Sequence, residues 1–110
     1  MKIKKWLKEH KKGDYFPVGE GWRPLVEQLC GDIIAIDKRM EVVQVKEKFG
    51  GLRFYVSDVA VKYFDEIYKL IGKAEDESFK TCEDCGGGDV TTEGGWVKTL
   101  CKSCRGTHER

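Results

Sequence analysis

The sequence predicts an α+β fold: two amphipathic helices packed on a small antiparallel β-hairpin sheet, with a C-terminal four-cysteine zinc module. Three observations carry this. Apolar residues recur at helical spacing over residues 22–34 and again from about 58 to 78. Two β-rich runs flank Gly50-Gly51. Cys82-Glu-Asp-Cys85 and Cys101-Lys-Ser-Cys104 repeat a C-x2-C spacing.

In the first twelve residues Ile3, Trp6, Leu7 and His10 fall at i, i+3, i+4 and i+7, which predicts a short helix. Six lysines against Glu9 give this stretch a local charge of +5. It reads either as a solvated helix or frayed tail, or as a basic arm that docks on phosphates or an acidic partner. Gly13 to Gly21, with Pro17 and Gly19, reads as a loop.

Trp22, Leu25, Val26, Leu29, Cys30, Ile33 and Ile34 then form one broad apolar stripe. Pro24 suits the first turn of that helix, where its missing N–H costs nothing. Cys30 lies within the stripe and is expected in the core, not at a site.

Residues 42–56 predict a hairpin with a two-residue turn at Gly50-Gly51, pairing Phe49 with Leu52 and Lys46 with Tyr55. That register puts Val43, Val45, Phe49, Leu52, Phe54 and Val56 on a core face, with Glu47 as the misfit. Gln44, Lys46, Lys48, Arg53 and Tyr55 take the other face. From Asp58 to about Ser78, Ala60, Phe64, Ile67, Ile71, Ala74 and Ser78 predict the second long helix. The expected division is residues 1–78, an α+β domain led by a basic N-terminal helix or arm, and residues 79–110, a zinc-ribbon- or treble-clef-like module packed on it. Within that module Gly94-Gly95 suggests a hairpin between the cysteine pairs, and the stretch after Cys104 has room for no more than a turn of helix.

The cysteines give the most specific chemistry. Each C-x2-C turns two thiolates toward one point, and C-x2-C-x15-C-x2-C closes a tetrahedron of Cys82, Cys85, Cys101 and Cys104 around Zn²⁺. Gly86, Gly87 and Gly88 follow the first pair, where the chain turns sharply. Four thiolates leave no open coordination position, so the zinc is expected to be structural. Disulfide pairing is the first alternative, but five cysteines without a secretory signal favour a reducing compartment. A rubredoxin-type iron site is the second; it usually wants glycine after both pairs, and Arg105 follows Cys104.

Composition narrows the function classes. In 110 residues, 40% hydrophobic and 35% charged residues predict a modest core under a charged surface. No apolar run approaches the roughly 20 residues that cross a bilayer, so no membrane association is expected. The net charge is +1, with basic termini around a mildly acidic middle. There is no Gly-rich phosphate loop, no nucleophile motif, and no histidine beyond His10 and His108. An enzyme is therefore not expected.

The chain resembles a family of small bacteriophage and prophage proteins with no assigned activity. The matching residues are Gly21-Trp22-Arg-Pro-Leu25, Gln44 to Val56, Ala74-Glu75 with Ser78, Cys82-Glu-Asp-Cys85-Gly86, and Gly95-Trp96 with Leu100-Cys101-Lys-Ser-Cys104. They span residues 20–104, and Lys46-Glu-Lys-Phe-Gly50 is the most specific segment. The resemblance implies a phage-type setting in the bacterial cytoplasm, not a mechanism. The cysteine half is also similar to treble-clef and zinc-ribbon modules, among them HNH nucleases. No Asp-His pair lies between the cysteine pairs, so an HNH-like scaffold here has lost its catalytic half.

Two binding functions follow. Lys46, Lys48 and Arg53 suit phosphates while Tyr55 stacks on a base, with Lys80, Lys98, Lys102 and Arg105 as an extension. Alternatively the chain is an accessory or inhibitor acting on a host or phage protein, with Trp6, Tyr15, Phe16, Tyr63 and Trp96 as candidate anchors. The protein partner is the leading expectation.

Overall fold

The computed structural model describes residues 1–11, 15–91 and 97–108, with the backbone alone of Thr107 and His108. In chain order the elements are α1 (Ile3–Glu9), α2 (Arg23–Ile36), β1 (Glu41–Lys48), β2 (Gly51–Ser57), α3 (Phe64–Ser78), β3 (Val90–Thr91), β4 (Leu100–Cys101) and α4 (Lys102–His108). The fold is α+β, as the sequence predicts: helices beside an antiparallel β1–β2 hairpin, with four cysteines clustered near the C-terminus.

The core is built from the apolar stripes. α2 contributes Val26, Leu29, Cys30 and Ile33, α3 contributes Ile67, Ile71 and Ala74, and the hairpin contributes Val42, Val45, Leu52 and Phe54. Each large side chain buried this way stabilises the fold by roughly 1.5–3 kcal/mol. Burial pushes the Cys30 thiol up to about 12, with Glu27 adding to the shift, so it stays protonated. Cys30 is a core residue, as expected.

The N-terminus is an ordered part of this core. Ile3 and Trp6 are buried. Val42 donates its N–H to the Met1 carbonyl at 2.7 Å and Ile3 donates to the Met40 carbonyl at 3.2 Å, which fastens the chain start to β1. The His10 ring stacks on Trp6 with 4.3 Å between centroids. Arg23 is also buried; its guanidinium lies 4.1 Å over the Phe16 ring and donates to the His10 carbonyl at 2.6 Å. The arginine thus ties the 15–23 segment to α1.

The hairpin turn lies one residue earlier than expected, so each residue's cross-strand partner shifts by two. Lys48 pairs with Gly51, Glu47 with Leu52, Lys46 with Arg53 and Val45 with Phe54. The turn is Phe49-Gly50, both at positive φ (52° and 86°), which a primed two-residue turn requires. Phe49 therefore points into solvent at 70% exposure, not into the core. A bulge between Val42 and Gln44 shifts the phase, so Val43 is also exposed. Lys46, Lys48, Arg53 and Tyr55 still share the outer face, because a two-residue change of partner preserves the alternation.

Gly51 stands where it does for a packing reason. A Cβ there would collide with the Phe79 ring, so glycine belongs beside the turn and not within it. α3 also starts later than expected. Asp58 adopts φ 58°, and Val61–Tyr63 form a 3₁₀ turn before the α-helix begins at Phe64. Phe64 consequently lies on the surface, while Ile67, Ile71, Ala74 and Ser78 face the core.

Candidate metal centre

After α3 the chain runs on through successive turns, with Phe79, Lys80 and Thr81 donating to Asp76, Glu77 and Ser78 carbonyls. That brings Cys82 beneath the start of α2, where the Trp22 indole N–H donates to the Thr81 carbonyl at 2.7 Å. The first cysteine loop closes on itself. Cys82 donates its N–H to the Gly87 carbonyl at 2.7 Å, and Gly86 donates to the Cys82 carbonyl at 2.9 Å. Gly86 sits at φ 82°, a conformation glycine adopts without strain.

The second pair arrives differently. β3 pairs with β4 through Val90–Cys101 and Thr91–Leu100. Cys101 ends β4, and Cys104 lies in the first turns of α4. The seven-residue α4 begins before Cys104, and the part of it that follows Cys104 is about one turn, as the sequence suggests. The Gly94-Gly95 turn and Trp96 lie outside the described residues.

The four sulfurs lie within 4.8 Å of one another, and Cys85 Sγ is 3.7 Å from Cys101 Sγ. A tetrahedron with metal–sulfur bonds of about 2.3 Å has edges of about 3.8 Å. The donor set therefore fits a tetrahedral ion. Cys82 is buried, Cys101 and Cys104 are half-buried, and Cys85 is exposed.

The protonation of the four thiols is set by one another and by the backbone around them. Burial opposes charge on Cys82, but the backbone N–H groups of Cys101, Cys85 and Asp84 outweigh it and bring the thiol down to about 7. The Gly87 N–H favours the Cys85 thiolate, yet the sulfurs of Cys82 and Cys101 beside it leave the thiol raised. Cys104 is pushed up chiefly by the Cys101 sulfur. Four sulfurs this close hold their full negative charge only with a cation among them. A four-cysteine cluster that can ligate a metal ion is thus present, made of the residues the spacing predicts.

Neighbouring groups that sequence reading did not single out hold the cluster in place. Gly21 donates to the Glu83 carbonyl at 2.7 Å, and Gly19 donates to the Glu83 carboxylate at 3.0 Å. The other Glu83 oxygen meets Lys98 Nζ at 3.3 Å, and Lys98 also reaches Glu47 at 3.4 Å. Thr99 donates through Oγ1 to the Gly50 carbonyl at 2.5 Å, while its own carbonyl accepts from Glu83 N–H at 2.9 Å. A Cβ at Gly21 would collide with the Cys82 carbonyl. The loop before α2, the hairpin tip and the cysteine loop thus meet at one junction. Gly19-Glu-Gly-Trp22 was a visible signal, but nothing in the sequence names what it packs on.

The proposed binding face is less uniform than expected. Lys48 and Tyr55 are exposed, and Lys46 Nζ lies 5.7 Å from the Tyr55 ring centroid. Arg53 is drawn aside to Glu75, at 3.8 Å. Of the expected extension, Lys98 belongs to the junction and Arg105 donates to the Thr91 and Lys98 carbonyls. Lys80 lies 4.0 Å from Glu77, and Lys102 is exposed. Among the aromatic candidates Trp6 and Phe16 are buried, Tyr63 is half-buried and Tyr15 is exposed. Phe49, which the expected register hid, is an exposed aromatic at the hairpin tip.

Among the described residues no helix is long and apolar enough to cross a membrane. Comparison with protein families, curated proteins and solved structures finds no match, so the reading of this chain rests on its own residues.

Proposed function

We propose that this chain is a non-catalytic binding protein whose four-cysteine site holds a structural Zn²⁺, and that it acts on a protein partner. The observation that carries the metal assignment is the convergence of four thiols at a tetrahedral spacing, 3.7 Å between Cys85 and Cys101. Zinc fits better than iron because Arg105, where the iron pattern wants glycine, is engaged in bonding β3 to the 98 carbonyl. The second pair comes from a strand end and a helix start, which favours the treble-clef variant over the ribbon. A metal saturated by four thiolates has no position for water or substrate, which supports a non-catalytic role.

A protein target is favoured over nucleic acid by the fate of the cations. Arg53 meets Glu75, Lys98 meets Glu47 and Glu83, and Arg105 binds backbone carbonyls. The phosphate-binding set is thereby reduced, while Phe49 and Tyr55 offer exposed aromatic surface. The phage-type setting, with an accessory or inhibitory role on a host or phage protein, rests on the resemblance of the Lys46–Gly50 and cysteine segments. An HNH-like remnant has less support, since His10 stacks on Trp6 in α1.

The test pairs metal analysis with two binding assays. One equivalent of zinc per chain, a partner captured after nuclease treatment, and no salt-sensitive DNA or RNA binding are the expected results. Salt-sensitive nucleic-acid binding with no protein partner would overturn the reading.

A further inference from the structure

The two edges of the hairpin are treated unlike one another. On β2, the outward N–H of Leu52 donates to Ser78 Oγ at 2.9 Å and that of Phe54 donates to Glu75 Oε2 at 3.2 Å. α3 therefore closes that edge. On β1 the corresponding outward groups belong to Val45 and Glu47, the partners of Phe54 and Leu52. Among the described residues nothing meets the backbone N–H and C=O of either one. An open strand edge is a template for another strand, and proteins usually cover or blunt it.

The same edge already accepts a strand at its beginning. Met1–Ile3 runs antiparallel beside it, with a Lys2–Glu41 bridge and the Val42 N–H donated to Met1. The bulge at Val43 ends this pairing, and among the described residues no strand pairs with residues 44–48 on that edge. Lys46 and Lys48 stand on the outer side of that stretch and Val45 on the core side.

We propose that the free edge of β1, residues 44–48, binds an extended segment of a partner protein as an added β-strand, and that this segment alternates acidic and apolar residues. The inference rests on the protein-partner reading above and specifies its binding mode. Backbone groups of Val45 and Glu47 supply the affinity, and the side-chain alternation supplies the choice of partner. Acidic side chains on the added strand lie opposite Lys46 and Lys48, a favourable cross-strand pairing, while its apolar residues extend the face that carries Val45. A second copy of this chain is a poor occupant. Pairing β1 with β1 would set lysines against lysines, and like charges directly opposite are destabilising.

The test uses amide hydrogen exchange on the full, zinc-loaded chain with a nine-residue probe peptide alternating valine and aspartate. The expected result is at least tenfold slower exchange at Val45 and Glu47, with Leu52 and Phe54, already bonded to α3, unchanged. K46E/K48E should abolish the effect and make the chain respond to a valine–lysine peptide instead. No protection at millimolar peptide, or equal protection in K46E/K48E, overturns the proposal and leaves the lysines and the bulge as edge protection only. The partner captured from nuclease-treated lysate separates the two claims. If wild type captures none, the protein-partner reading fails. If wild type and K46E/K48E capture it equally, that reading stands and the edge proposal falls.

Discussion

Glu75 accepts a hydrogen bond from the backbone N–H of Phe54 at 3.2 Å, across from helix to strand edge. One helical turn later Ser78 does the same for Leu52 at 2.9 Å, within the core. Residues spaced three apart on a helix thus meet N–H groups spaced two apart on a strand.

Ser78→Ala leaves the buried Leu52 N–H without its acceptor. We expect a loss of about 1–3 kcal/mol, the cost of an unsatisfied buried donor. Glu75→Gln keeps an acceptor for Phe54 and should cost less than Glu75→Ala. Urea titration at constant m-value measures both, and a Ser78→Ala midpoint equal to wild type would contradict the assigned contact.

Cys82→Ser removes one of four ligands, and it is the buried one. We expect metal content to fall well below one equivalent and the melting temperature to drop sharply, since folding and metal binding are coupled at such sites. Chelation should do the same to wild type. Because Gly19, Gly21 and Trp22 all bond to the segment 81–83, the loss should reach the start of α2 and not stop at the cysteine loops. Amide exchange at Gly21 reports it. A Cys82→Ser chain that keeps both metal and melting temperature refutes the metal centre.

Two glycine substitutions should move stability in opposite directions. Gly21→Ala drives a Cβ into the Cys82 carbonyl and should destabilise by about 1–3 kcal/mol, the usual range for overpacking. Gly31, on the exposed side of α2, has open space around its Cβ position. Gly31→Ala should stabilise by up to about 1 kcal/mol through helix propensity alone. Thermal melts of the two variants decide the matter.

Asp37 follows α2, and its carboxylate accepts from the Arg39 side chain at 3.1 Å and the Arg39 N–H at 2.9 Å. The Arg39 side-chain bond, then its backbone bond, hold this carboxyl below the usual range. A depressed folded pKa means the contribution is present above the unfolded aspartate value near 4 and fades as pH falls through the folded value. Wild type should therefore exceed Asp37→Asn in stability at pH 7, and the difference should vanish in acid. A gap that persists at pH 2 would assign it to packing.

The hairpin variants need choosing with the register in hand. Arg53→Glu would set a carboxylate against Glu75 and weaken the fold as well as any binding face. Lys46→Glu with Lys48→Glu avoids that pairing, so a changed affinity reports binding and not unfolding.

The chain alone determined a good deal here. Helical spacing identified α2 and α3, and the C-x2-C pairs named all four candidate ligands, because periodicity and ligand spacing are local properties of the chain. The hairpin was legible in outline, but its turn lies one residue earlier and its pairing partners two residues off. Gly50-Gly51 signals a turn equally well in either register, and only contact with Phe79 shows why Gly51 lies outside it. That single step moved Phe49 from core to solvent. Tertiary structure also decided that Glu75 and Ser78 close one edge while no described residue pairs with the other beyond Val43, and that Glu47, Lys98 and Glu83 join the hairpin to the cysteine loop. These are contacts between residues far apart in sequence. A charged or polar side chain looks the same along the chain whether water or a distant backbone group meets it, so only the folded packing reveals its partner.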